Sequence, residues 1–553
     1  MGLFSRKPKV RGTNTNGKPF DTASMDSENS NSKLPTSAGG SSNTGGGISR
    51  LIGNRASASS MPPTPMSPMS PMSSTGMTSG SHLSVRINLP KPPDPTLDAA
   101  GYLRSLGAVR ERCKVVTDKA LQNKLNHFDV DLTKFPDVVS FVCQIIKRDY
   151  DAPFASIPPH GRYQHFCVGG RDRIANLLAT FPDHVDNTEK CRRLIDLFLV
   201  SVLLDAGAGT SWTYKSTENG RMYRRSEGLA VASLEMFKTG LFSGNPNNRF
   251  QVDKEGLGQL QAEQLASGLQ SRPGNEVDGL DGRSQLMLRL GRALAEKPEY
   301  FGEDGRPGNM IDYLLAHPTT QASSTPIVVL PVLWNVLMNG LASIWPTSRT
   351  TINGISLGDA WPCSSMPQHV ATPSSPSFSP FPSSGPPTAP WESILPFHKL
   401  TQWLTYSLMQ PMQSLLKIQF AGTELLTGLP EYRNGGLFID LGVLTLKPPE
   451  MERGLENYNS HCSRTNGKGI EVAPMFEPSD DVIVEWRGVT VGFLDKLCAD
   501  VNQALKKDLN GGELTLAQLL EAGSWKGGRE IAEVSRPNTK EPPILIDSDG
   551  TIF

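Results

Sequence analysis

Apolar residues recur at helical spacing through much of this chain. Residues 194–204 are apolar on nearly every face, Asp196 excepted, which predicts a helix buried on all sides. Leu229, Ala232, Met236 and Phe237 follow a helical period, and Gly240 offers a stop. Leu400, Trp403, Leu404 and Leu408 form a second stripe, expected to break at Pro411. Val491, Leu494, Cys498, Val501 and Leu505 form a third, ending near Asn510-Gly511-Gly512. Residues 327–345 are uncharged and mostly apolar but include Asn335, Asn339, Pro331 and Gly340. A bilayer would leave the polar groups costly whereas a protein core can satisfy them, so this stretch predicts a buried helix. Strand patterns are few: VIVEWR at 482–487, and PILID at 543–547 with Asp549-Gly550 as a turn. No internal repeat is visible. The pattern predicts a mainly α fold, a single large helical domain with minor β elements.

Two stretches lack this periodicity. Residues 1–84 are rich in Ser, Gly, Asn, Pro and Met and poor in aromatics, so they bury too little apolar surface to offset their ordering entropy. They read as a disordered tail in which Thr64-Pro65, Ser67-Pro68 and Ser70-Pro71 are candidate targets of proline-directed kinases. Residues 364–390, SSMPQHVATPSSPSFSPFPSSGPPTAP, have patterned sequence on both sides, which predicts a disordered insertion within the domain of residues 85–553.

Charge and cysteine content narrow the classes. Among 553 residues, 54 basic and 55 acidic side chains nearly cancel, which disfavours a nucleic-acid partner. Seven scattered cysteines with no CxxC pair argue against a disulfide framework or zinc cluster and for a reducing compartment. The first nine residues are basic with no following apolar core, and Arg6 stands where a myristoylation motif needs Ser or Thr. The expectation is a cytoplasmic protein with no membrane partner.

Motifs for metal or nucleotide chemistry are missing. Nine histidines form no HxH or HExxH pattern, and His160 and His165 flank Arg162 at a spacing unsuited to a ligand pair. No Walker or Gly-x-Ser-x-Gly sequence occurs. No metal and no cofactor are expected.

Five polar clusters remain. Asp205 opens a glycine turn that leads to Trp212 and Tyr214; it either stacks a planar ligand or caps a helix beside two core aromatics. Arg224, Arg225, Ser226 and Glu227 precede the Leu229 helix, with Ser226 a fair N-cap; they form either an anion site or a solvated charge cluster. Glu431, Arg433 and Asn434 lie in a Pro/Gly-bounded turn with Asp440 downstream, either a site on a rigid scaffold or a surface turn with a local Glu–Arg pair. The fourth cluster joins Trp345 and Arg349 to Gly358, Asp359 and Trp361, and the fifth is Glu485-Trp486-Arg487-Gly488. For these two a structural role is at least as good a reading as a site role.

The runs LLDAGAGTSWTY, RRSEGLAVASLEMFKTGLFS, PFHKLTQWLTYSL and LTGLPEYRNGGLFIDLGVL resemble the fungal and bacterial family typified by uracil catabolism protein four, over nearly all of the chain from residue 89. PEYRNGG and VEWRGVTVGFLDKLCADV are similar to pieces of the queuosine-nucleoside salvage glycosylases, which implies a DNA-glycosylase-like helical fold. The acidic residue before Tyr-Arg is Glu431 here, whereas the salvage enzymes tend to have Asp there. The resemblance implies N-glycosidic hydrolysis of ribosylurea or its 5′-phosphate to urea and a ribose species.

Such chemistry passes through an oxocarbenium-like state and needs a carboxylate near the developing charge and help for the departing nitrogen. On the resemblance, Glu431 and Asp205 are the catalytic candidates. Arg433 would orient Glu431, Arg224 and Arg225 would hold a phosphate, and Trp212 and Tyr214 would wall the pocket, with Glu227 and Asp440 as further binding candidates. The implied partners are a small ribosyl substrate and other uracil-pathway enzymes. Two alternatives stay open: a non-catalytic binding or regulatory protein, and amide hydrolysis of an open-ring ureide.

Overall fold

A computed structural model of the chain describes residues 88–205, 207–209, 211–368, 389–465 and 472–547. The expected disordered tail 1–84, the turn Asp549-Gly550, and the expected insertion apart from residues 364–368, 389 and 390 lie outside the described residues.

Helix α1 (Leu106–Ala120) starts where Ser105 Oγ accepts from the Ala108 amide. Strand β1 (Phe128–Val130) and helix α2 (Phe135–Asp149) follow, then the short α3 (Arg162–Phe166). In α4 (Asn187–Leu203) all residues from 194 to 203 are buried, as their apolar pattern predicts. Asp196 sits in this run without solvent because Arg306 Nε and the Gly308 amide each donate to it at 2.7 Å. Helix α5 (Arg225–Thr239) ends at Gly240, whose φ of +83° is the left-handed stop expected there. Helix α6 spans Leu280–Ala295.

Residues 327–345 depart from the single helix expected of them. They split into strand β2 (Ile327–Val329), helix α7 (Leu330–Gly340) and a 3-10 turn (Ala342–Ile344), with Pro331 in the first turn of α7, where a missing N–H costs nothing. Strands β3 (Ala360–Pro362) and β4 (Ile394–Pro396) pair antiparallel across the span 363–393, with Trp361 opposite Leu395. Helix α8 (Lys399–Leu416) runs through Pro411 instead of breaking there. A proline inside a helix costs about 3 kcal/mol. Burial of Leu408, Met409, Pro411 and Met412 in the core offsets it.

Strand β5 (Gln419–Ala421) lies parallel to β2. Next come α9 (Tyr432–Asp440), β6 (Leu444–Leu446), which pairs with β1, and β7 (Met475–Phe476). Helix α10 (Asp481–Ala504) absorbs residues 482–487, expected as a strand. The run is buried on every face, a case in which periodicity does not separate strand from helix, and Asp480 caps it by accepting from the Val482 amide at 3.0 Å. A π-helical turn (Leu520–Ser524) leads into α11 (Trp525–Ser535), and β8 (Leu545–Ile546), expected from PILID, pairs parallel with β7.

The fold is thus mainly α with short two-stranded pairs. Helix α8 packs on α4, α10 on α1, and α11 on α9. The last contact is very close at Gly528, where a Cβ would stand 1.9 Å from the Arg433 carbonyl oxygen. Among the described residues no helix is long and apolar enough to cross a membrane.

Candidate active site

The first residues of α5, α8, α9 and α11, the glycine turn after α4 and the segment around β8 surround one cavity of about 700 Å³. That lies within the usual range for small-molecule sites. Three helix N-termini, those of α5, α8 and α9, bring their positive dipole ends to it, whereas α11 continues the preceding π-helical turn.

Glu431 is the N-cap of α9 rather than part of a surface turn. Its carboxylate accepts from the backbone amides of Arg433 (2.8 Å) and Asn434 (2.5 Å). Burial raises its pKa, against the pull of these two amides and of the nearby Lys399 ammonium. No Glu431–Arg433 side-chain pair is present among the described residues. Arg433 orients Glu431 through its backbone N–H, while its guanidinium donates to the Lys540 carbonyl at 2.9 Å.

Lys399 begins α8 and lines the same cavity. Burial lowers its pKa, and the charges of Glu431 and Asp205 act in the opposite sense. Its position follows from Asp359, whose Oδ2 accepts from the Lys399 backbone amide at 2.9 Å. Asp359 is in turn held by Arg487 of α10, so the fourth and fifth polar clusters of the sequence meet here. Arg487 Nε also donates to the Pro430 carbonyl, one residue before Glu431, at 3.2 Å.

Asp205 follows α4 and faces the cavity from the glycine turn. Arg162 of α3, fully buried, pairs with its Oδ2 at 2.7 Å. The turn itself is gripped by Arg283, which donates to the carbonyls of Leu204 (3.2 Å) and Gly207 (2.8 Å). Gly209 has φ of +80°, and a Cβ there would stand 2.4 Å from Asp278 Oδ2, another cavity residue. Only glycine fits both demands.

Arg225 lines the cavity with φ of +55°, a conformation uncommon for a residue with a side chain. It donates to the Thr539 carbonyl at 3.0 Å. Together with Arg433 it holds the segment 539–541, placing Glu541 in the wall; burial raises the Glu541 pKa against these two guanidinium charges.

Other expectations need correction. Trp212 is fully buried in the core, where its indole N–H donates to the Leu269 carbonyl at 2.9 Å, and Tyr214 donates to Glu235 at 2.9 Å; neither walls the cavity. Arg224 is the exposed residue preceding α5 and also lies outside the lining, and Ser226 sits inside the first turn instead of capping it. Glu227 forms an ion pair with Arg529 that ties α5 to α11. Asp440, at the far end of α9, is gripped at two points by Arg536 (2.8 and 2.6 Å) and is not a cavity residue.

The aromatic wall comes from Trp403 and Trp525, with His160 and His165 beside them. In the sequence Trp403 belongs to an apolar stripe that reads as core, and the two histidines show only a spacing unsuited to a metal-ligand pair. Lys399 stood one residue before that stripe, and the Arg162–His165 spacing of one helical turn was the available signal for the pair.

Comparison with known proteins adds three findings. The family described as "Protein of unknown function (DUF1688)" matches residues 102–553. The chain is 44% identical over 457 residues to uracil catabolism protein 4 of Lachancea kluyveri, spanning 82% of this chain and 98% of that protein. It is 43% identical over 457 residues to protein urg3 of Schizosaccharomyces pombe, spanning 82% and 99% respectively.

Proposed function

This chain belongs to the DUF1688 family, and from that membership and its relatives we propose that it acts in uracil catabolism as an N-glycosidase releasing urea from ribosylurea or its 5′-phosphate. The reading is carried by one observation: Glu431 and Asp205, 226 residues apart in the chain (431 minus 205), line a single cavity with Lys399, which feels the charge of both.

In this reading the ribose C1′–N bond breaks and its electron pair goes to the urea nitrogen. Lys399 supplies the proton that nitrogen needs. Glu431 faces the developing positive charge at C1′ and takes the proton from the attacking water. Asp205 holds the departing group. Arg225, at the start of α5, would meet a 5′-phosphate.

The test is incubation of the purified protein with synthetic ribosylurea, with and without 5′-phosphate, while urea and free sugar are measured. Equimolar urea and sugar are expected, and Glu431→Gln should lower kcat by about 10²–10⁴-fold. Normal turnover by that variant would remove Glu431 from the mechanism. Release of ammonia in place of urea would move the broken bond to an amide.

A further inference from the structure

The wall behind Asp205 contains more chemistry than hydrolysis requires. Arg162 is anchored at Nε by Ser201 Oγ (2.8 Å), and its Nη1 serves both Asp205 Oδ2 (2.7 Å) and His165 Nδ1 (2.9 Å). A guanidinium has only donors, so His165 Nδ1 must accept. Burial, and then the charge of Arg162, bring the His165 pKa down to about 4, so the ring is neutral at physiological pH and carries its proton on Nε2.

Three buried atoms of this cluster have no hydrogen-bond partner among the described residues: Asp205 Oδ1, His165 Nε2 and Arg162 Nη2. Buried polar atoms are rarely left unsatisfied, and each that is costs about 1–3 kcal/mol. Asp205 and His165 both line the cavity, so its wall holds a buried acceptor and a buried donor that are left unpaired. Flat ring faces complete the surroundings. Ring centroids of His165 lie 5.6 Å from Trp403 and 5.5 Å from Trp525, and those of His160 lie 4.7 and 5.8 Å from the same two indoles. His160 is fixed by donating from Nδ1 to Glu521 at 2.7 Å.

The unpaired acceptor is a carboxylate, which repels an anion and seeks an N–H. The unpaired donor is a neutral imidazole N–H, which seeks a carbonyl oxygen. The indole faces offer stacking surface to a planar partner. We infer that Asp205, His165, Trp403 and Trp525 form a recognition site for a planar, uncharged group that presents an N–H beside a C=O. Resting on the proposed hydrolysis, that group is the ureido end of the substrate, and His165 is its specificity-determining residue. The edge of a uracil ring shares this chemistry.

Two indoles in the wall give the test its readout. Full-length Glu431→Gln protein, used to prevent turnover, is titrated with ribosylurea, uracil and ribose while tryptophan emission is followed. Ribosylurea should shift the emission and ribose should not. His165→Phe, which keeps a ring but loses both the Nε2–H and the Nδ1 acceptor of Arg162, should weaken ribosylurea binding about tenfold, and His165→Asn, which restores a donor and an acceptor, should recover part of it. Unchanged unfolding midpoints certify that the variants fold.

Binding by His165→Phe equal to that of its parent would overturn the assignment, as would a full shift with ribose alone. A shift with uracil but not ribosylurea would overturn the ureido identity. A His165-dependent shift in protein with Glu431 intact that releases no urea would reject the hydrolysis and leave the recognition site. Urea release with an unchanged KM in His165→Phe would do the reverse.

Discussion

Arg487 holds Asp359 at two points, Nη1 to Oδ1 at 2.8 Å and Nη2 to Oδ2 at 2.7 Å, with both side chains almost free of solvent. Through this pair one guanidinium governs two cavity residues: Asp359 carries the Lys399 amide, and Arg487 Nε carries the Pro430 carbonyl beside Glu431. Removing one partner leaves a lone buried charge. Arg487→Met should therefore cost about 3–5 kcal/mol in denaturant unfolding. The double variant Asp359→Leu/Arg487→Met should regain much of that stability without regaining activity, because Lys399 and Glu431 lose their common anchor.

The pH profile follows from the two shifts. Glu431 must be ionised, and burial raises its pKa, so activity should be lost on acidification at a pH above the ordinary carboxylate range. Lys399 must be protonated, and burial lowers its pKa, so activity should fall on the alkaline side before the ordinary lysine range is reached. The kcat/KM profile is then a bell narrowed from both sides, its limbs belonging to the coupled pair. Lys399→Arg should lose the alkaline limb, since a guanidinium stays charged there.

Gly209→Ala tests the glycine turn. A left-handed φ costs about 1–2 kcal/mol for a residue with a Cβ. The new atom also meets Asp278, so KM should rise together with the loss of thermal stability.

Asp440→Asn serves as a contrast. The two-point contact with Arg536 weakens, and a charged hydrogen bond of this kind is worth about 1.5–3 kcal/mol. The unfolding midpoint should fall while kcat and KM stay as in the parent.

Helix existence was legible wherever an apolar stripe was long, as in α4 and α5. Short apolar runs misled: 482–487 lies within a helix, and 327–329 forms a strand. The first is wholly buried and the second, apart from the half-buried Ile327, is too, so period alone carries no decision. Pro411 misled because tertiary packing overrode a local preference. Within the site, Asp205, Arg225, Glu431 and Arg433 are legible because polar residues next to glycine turns and helix starts stand out in sequence. Lys399, Trp403 and Trp525 are not. An amphipathic stripe gives no sign of which of its members faces a hollow, and that depends on contacts far away in the chain.

The wall of the cavity is drawn from residues 160 through 547. A growing polypeptide on the ribosome therefore carries α1 and α4 without their main packing partners until α10 and α8 have emerged. Only when β8 has emerged and paired with β7 is the pocket whole, so substrate cannot support folding before that pairing forms.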